Sequence, residues 1–167
     1  MRTGVLRRLV IFGFVVLVSG GLLAGAGASA EQLTARADLT GTWMGVVPAS
    51  GRGLSRDIEF RLVQRGRVLS GKLYGEGPGS PILEGEVDPR GEVRLVVETR
   101  EQAGNQVNVV RYHFKGVVCE GGIELTRERV AARDEVSGVV VPVRRPWDSD
   151  EEDRRRRFQH FRLERLF

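Results

Sequence analysis

Between residues 39 and 143 apolar and polar positions alternate in short runs, and glycine, proline and aspartate separate the runs. The alternation is plainest where Ile58, Phe60 and Leu62 interleave with Glu59, Arg61 and Val63. Successive side chains of a strand point to opposite faces, so this pattern predicts a half-buried strand. A first strand is expected over 39–48, with Leu39, Trp43 and Val47 on one face. Residues 64–67 form a tight turn into a strand at 68–74, where Leu69 and Leu73 share a face. The Gly-, Pro- and Ser-rich stretch 75–81 reads as a loop. Strands 82–87 and 92–98 make a hairpin, because Asp88-Pro89-Arg90-Gly91 has the proline and glycine positions of a type I turn. In that hairpin Leu83 and Val87 are expected to face the stripe of Val93, Leu95 and Val97.

The longest strand is expected over 107–118, with Val110, Tyr112, Phe114 and Val118 on one side and Arg111, His113 and Lys115 on the other. Glu120-Gly121-Gly122 then turns the chain into 123–129, which places Ile123, Leu125 and Arg127 on one face. A closing strand is expected over 136–143, confined to an edge or a ladder end by Pro142. The sum is an all-β domain of about eight antiparallel strands without an internal helix. Gly71, Gly85 and Gly116 fall inside strand patterns, where glycine weakens a strand unless the sheet must bend. They favour an up-and-down barrel over a flat sandwich. A chain of this size buries enough surface to hold a core without disulfides.

The first thirty residues have a different pattern. Arg2, Arg7 and Arg8 precede a nearly unbroken apolar run from Leu9 to Val18, and Ala28 and Ala30 occupy the A-x-A positions before Glu31. That is the form of a cleaved export signal over 1–30, followed by a linker at 31–38. An uncleaved anchor is the competing reading, since apolar residues continue to Leu23. No cysteine is placed for lipid attachment, and the Arg7-Arg8 pair leaves Sec and twin-arginine export both open.

Charge looks basic only until it is divided by segment. The whole chain carries 26 Lys and Arg against 22 Asp and Glu. The leader holds three of the arginines and no acid, and residues 31–143 carry 15 bases against 16 acids. A nucleic-acid partner needs a concentrated basic face, so that class is set aside. One cysteine forms no internal disulfide, and two histidines without cysteine partners make a poor metal site. No cofactor or metal is expected.

Gly41-x-Trp43 on the first strand resembles the G-x-W opening of lipocalins and related calycin barrels. The resemblance implies a tryptophan that closes one barrel end beneath an arginine from a late strand. Gly41, Trp43 and Arg127 would then form that closure, with Arg129 as the alternative arginine. The wider pattern includes GTWMG at 41–45, LSGKL at 69–73, ILEGEVD at 82–88, FKGVV at 114–118 and IELTRE at 123–128. It is similar to an uncharacterised family of small secreted bacterial β-domains. That similarity implies a fold and export and assigns no catalytic residue; the chain departs from it over 130–137 and 146–167.

Residues that carry chemistry are few. Cys119 lies beside Glu120, and its nearest histidine on the same strand face, His113, is roughly 20 Å away along an ideal strand. That is too far for a thiol–imidazole pair, and Cys119 reads as a small hydrophobe. Glu84, Glu86 and Asp88 project from one face at about 7 Å intervals, a spacing open to carboxylate-pair catalysis but also that of any solvated strand face. No glycine-rich loop precedes a helix, so phosphate cradling has no support. The inward aromatics Trp43, Phe60, Tyr112 and Phe114 suit either a packed core or the lining of a ligand cavity.

Residues 144–167 form a charged amphipathic tail. Acids at 148–153 precede four arginines at 154–157, an order that suits the helix macrodipole with Asp148 or Ser149 as N-cap. Phe158, Phe161 and Leu166 lie on its imperfect apolar side and are the candidate contacts to a partner. The leading expectation is an exported, non-catalytic binding module for a small or polymeric ligand, with Trp43, Phe60, Tyr112 and Phe114 inside the barrel. The alternatives are a cell-envelope protein that docks through its tail, with weak membrane-surface contact, and an enzyme using the 84–88 carboxylates.

Overall fold

The computed structural model describes residues 38–49, 54–75, 77–143 and 149–166. The expected export signal at 1–30 and all but the last residue of the expected linker at 31–38 lie outside the described residues. Eight strands are described: β1 Gly41–Val47, β2 Arg56–Arg65, β3 Val68–Tyr74, β4 Ser80–Val87, β5 Glu92–Ala103, β6 Gln106–Cys119, β7 Gly122–Asp134 and β8 Phe158–Arg165. Among the described residues one helix, α1, spans Asp150–Arg157. Each strand pairs antiparallel with the next, and β8 returns to β1, so the sheet closes into a barrel. Closure leaves no sheet edge to template aggregation.

The closing strand is not the expected one. Residues 136–143 make a single bridge between Arg133 and Val140, with Asp134 N–H bonded to the Val139 carbonyl and Val141 N–H to the Ala132 carbonyl. Gly138, at φ 71°, bends this segment, and Pro142 lacks the N–H a ladder needs. Val141 packs on the core while Val136, Val139 and Val140 stay exposed. Residues 158–165, expected to be helical, supply β8 instead. Their alternation explains it: Gln159, Phe161 and Leu163 point inward and His160, Arg162 and Glu164 outward. The barrel therefore includes the end of the segment expected to form a tail.

The expected helix is confined to α1. Ser149 caps it, accepting from Glu152 N–H while the Glu152 carboxylate accepts from Ser149 N–H. This reciprocal bonding holds the Glu152 carboxyl below its ordinary value, through the Ser149 N–H first and the Ser149 hydroxyl second. Acids fill its first turn, arginines its last, and it buries no residue.

The glycines within strands mark places where backbones nearly touch. A Cβ built on Gly71 would lie 1.8 Å from the Arg61 carbonyl oxygen, and one on Gly116 would lie 1.8 Å from that of Glu124. Gly85 is similar, 2.1 Å from the Leu69 carbonyl oxygen. Any side chain there would force neighbouring strands apart, so the tight coiling of the barrel needs glycine at these inward positions.

Inside, Phe60 and Phe114 have 0% exposure, and their rings meet edge-on with centroids 5.2 Å apart. Zero exposure means that no water-sized void touches them, so side chains fill the middle of the barrel. Leu62, Leu69, Leu73, Leu95, Val97, Val110, Ile123, Leu125 and Leu163 complete the packing. In β4, a register shift between Ile82 and Glu84 turns Leu83 outward, where it is exposed. The hairpin face expected to include Leu83 is lined by Val87 and the half-buried Ile82 instead.

Candidate functional site

The two barrel ends differ in chemistry. The end where β1 begins is sealed by apolar and aromatic groups. Leu39 is buried there, with its N–H bonded to Gln64 Oε1, and its carbonyl accepts Trp43 Nε1–H at 2.9 Å. Trp43 pairs in register with Arg165 of β8, whose guanidinium lies 5.6 Å from the indole and donates to the Thr40 carbonyl.

The arginine expected over Trp43 was Arg127, with Arg129 as the alternative. Arg165 takes that place, because β8 and not β7 lies beside β1. Arg127 belongs towards the opposite end. It is buried at 7% exposure, lies 4.5 Å from the Tyr112 ring centroid and donates through Nε to Gln159 Oε1 at 3.0 Å. Gln159 in turn donates to the Pro48 carbonyl at 2.8 Å.

Around Arg127 the barrel interior turns polar. On β5 the inward row Val93, Leu95 and Val97 continues as Thr99 and Glu101. The Tyr112 hydroxyl donates to Glu101 Oε1, and Arg129 reaches across β6 to Glu101 Oε2 at 3.1 Å. Buried Asn108 accepts from Gln106, and Ser80 is also buried. A bulge in β7 opposite Arg111 and Tyr112 gives the strand one extra residue, Val130, so that Arg129 and Ala132 both belong to the inward side. Bulges often re-aim a side chain next to a functional site.

Two polar atoms in this layer have no hydrogen-bond partner. Thr99 Oγ1 belongs to a residue only 2% exposed, and Arg129 Nε is buried and unbonded. Buried polar groups are nearly always satisfied, by protein or by ordered water, and a ligand can take the place of that water. Thr99, Glu101, Arg129, Tyr112, Arg127 and Gln159 therefore form the candidate site.

Of the aromatics expected inside, Trp43, Phe60 and Phe114 serve packing, and Tyr112 alone presents a polar group to this layer. Of the expected docking residues, Phe161 is buried against Phe114 and Phe158 is half-buried at the start of β8, beneath the Arg157 guanidinium. Only Leu166 is exposed. Strand periodicity separates these three, so they form no common apolar face. Two of the three carboxylates at 84–88 are engaged locally. Glu86 pairs with Arg67, and Asp88 accepts the N–H groups of Arg90 and Glu92 to hold its turn. Glu84 and Glu86, with Arg94, His113 and Lys115, border a groove of about 330 Å³ on the outer wall. Cys119 is a free, half-buried thiol. Among the described residues, no three His, Cys, Asp or Glu side chains are placed to hold a metal ion.

The sequence carried a signal for part of this site. The alternation of β5 extends without a break through Thr99 and Glu101, which places a hydroxyl and a carboxylate on the core face. Gln159 had no such signal, because the acids and arginines before it favour a helix. Comparison with protein-family models, curated proteins and solved structures returned no match.

Proposed function

We propose that the protein is an exported, non-catalytic binding module of lipocalin-like or calycin-like character, which receives its ligand at the polar end of the barrel. The observation that carries this reading is the pair of orphaned polar atoms, Thr99 Oγ1 and Arg129 Nε, within an otherwise satisfied buried network. An unbonded buried polar group costs about 1–3 kcal/mol, a cost that a ligand offering the missing partner would remove. The filled middle of the barrel limits the ligand to the rim and the layer beneath it. A polymer would therefore be gripped by an end or a projecting group. The resemblance carried by Gly41 and Trp43 agrees with a binding role.

The test is chemical-shift mapping on the full-length chain with a panel of small acids, alcohols, sugars and oligosaccharides. Saturable shifts at Thr99, Tyr112, Arg129 and Gln159 are expected from at least one class. Shifts confined to the outer wall, or turnover of any panel member, would sink the proposal.

A further inference from the structure

The candidate site has a chemical bias of its own. Among the six residues named for it, two guanidiniums, Arg127 and Arg129, stand against one carboxylate, Glu101. Its orphaned groups are an Arg129 Nε–H, which only donates, and the Thr99 hydroxyl, which donates or accepts. The acceptor already seated among them is the chain's own carboxylate. Glu101 takes the Tyr112 hydroxyl on one oxygen and an Arg129 amino group on the other. It does so two residues from Thr99 on the same strand face.

From this juxtaposition we infer that the polar end of the barrel is a carboxylate-binding site, in which a ligand carboxylate bonds Thr99 Oγ and Arg129 Nε and competes with Glu101 for Arg129 and Tyr112. A planar two-oxygen acceptor matches the guanidinium fork, and charge-assisted bonds of this kind are about twice as strong as neutral ones. The Glu101 and Arg129 side chains are 26% and 19% exposed, so the exchange takes place at the rim. Glu101 then swings to solvent at the end of β5, and the incoming carboxylate reaches the hydroxyl beneath. Glu101 is thus an internal competitor that raises the concentration of ligand needed. This inference rests on the binding-module reading and narrows it to one ligand chemistry.

Benzoate is the probe, with benzyl alcohol as its neutral match, titrated into the full-length chain while the arginine side-chain Nε–H resonances are observed. Benzoate should give a saturable shift of the Arg129 Nε–H, and benzyl alcohol should not. Thr99→Val should weaken benzoate binding about tenfold or more, as expected for a lost hydrogen bond to a charged group. Glu101→Gln should tighten it, because the competing charge is removed. Thermal unfolding of each variant reports whether the barrel is intact.

Equal shifts from both compounds would overturn the carboxylate assignment while leaving the binding module standing. Unchanged affinity in Thr99→Val would assign the orphaned atoms to buried water and overturn the site. No saturable shift from benzoate would overturn the inference, and the wider reading would then stand or fall on the ligand panel alone.

Discussion

Phe161 meets Phe114 edge-on inside the barrel, with ring centroids 6.4 Å apart and ring planes at 88°. One ring comes from the last strand and the other from the longest, so this contact ties the C-terminal segment into the core. Phe161→Ala should cost about 3–5 kcal/mol by opening a cavity among fixed neighbours. Leu166→Ala, at a 46% exposed position, should stay within about 0.5 kcal/mol. Ending the chain after Arg157 removes β8 and leaves open edges on β1 and β7, and cooperative unfolding should vanish. Denaturant titration checks all three.

Gly116→Ala should destabilise through contact alone, since the new Cβ would lie 1.8 Å from the Glu124 carbonyl oxygen. Overpacking of this kind costs about 1–3 kcal/mol. Gly66→Ala tests the other use of glycine. Nothing lies within 4 Å there, but φ is +61°, so the cost should be about 1 kcal/mol from backbone strain. Gly71→Ala combines both penalties, at φ +139° and 1.8 Å from the Arg61 carbonyl oxygen, and should be the most damaging of the three by unfolding midpoint.

The arginine over Trp43 should be visible in fluorescence. In a Trp147→Phe background, Arg165→Met should alter Trp43 emission and its quenching by iodide, while Arg127→Met should leave both unchanged. The lost cation–π contact, whose arginine is exposed, is worth about 0.5–1 kcal/mol. Equal responses from the two variants would return Arg127 to the closure.

Acid should loosen two local structures before the barrel. The Asp134 carboxyl is held below its ordinary value by the Ser137 hydroxyl and the Ser137 N–H, and Glu152 by the N–H and hydroxyl of Ser149. A depressed folded value contributes stability that is fully present above the ordinary carboxylate range. It is lost as the pH falls through the lower folded value. Protection of the Ser137 and Glu152 amides, measured relative to intrinsic exchange at each pH, should therefore fall on acidification below that range, ahead of the β5 and β6 amides. Ser149→Ala should melt α1 at any pH, at a local cost of about 1 kcal/mol, and leave the barrel folded because α1 buries nothing.

Thr99→Val should raise the unfolding midpoint or leave it unchanged. The two side chains share a shape, and the valine removes a buried hydroxyl with no partner. A clear loss of stability would show that the hydroxyl is satisfied in solution.

Seven of the eight strands were legible because each carries its own period of two. The bends were legible too: Gly71, Gly85 and Gly116 interrupt strand patterns where the strands draw closest. The expectation failed where two periods competed. Residues 136–143 are rich in valine yet carry Gly138 and Pro142, while 158–165 follow an acid-then-arginine block that favours a helix. Local propensity assigned the first as strand and the second as helix. Leu83 was misplaced because a bulge shifts facing by one residue without changing composition.

The sequence by itself determined an all-β chain with glycine-marked corners and an interior that includes Trp43, Phe60, Tyr112 and Phe114, and it sets the near balance of charge over 31–143. These are local properties, carried by alternation, turn chemistry and charge within a few residues. Only the tertiary structure decided which segment closes the barrel, which arginine covers Trp43, and that Thr99, Glu101, Tyr112, Arg127, Arg129 and Gln159 share one end. Those relationships depend on strand pairing between segments as far apart as β1 and β8. Pairing at that range is set by the closure of the whole sheet, and short windows of sequence do not encode it.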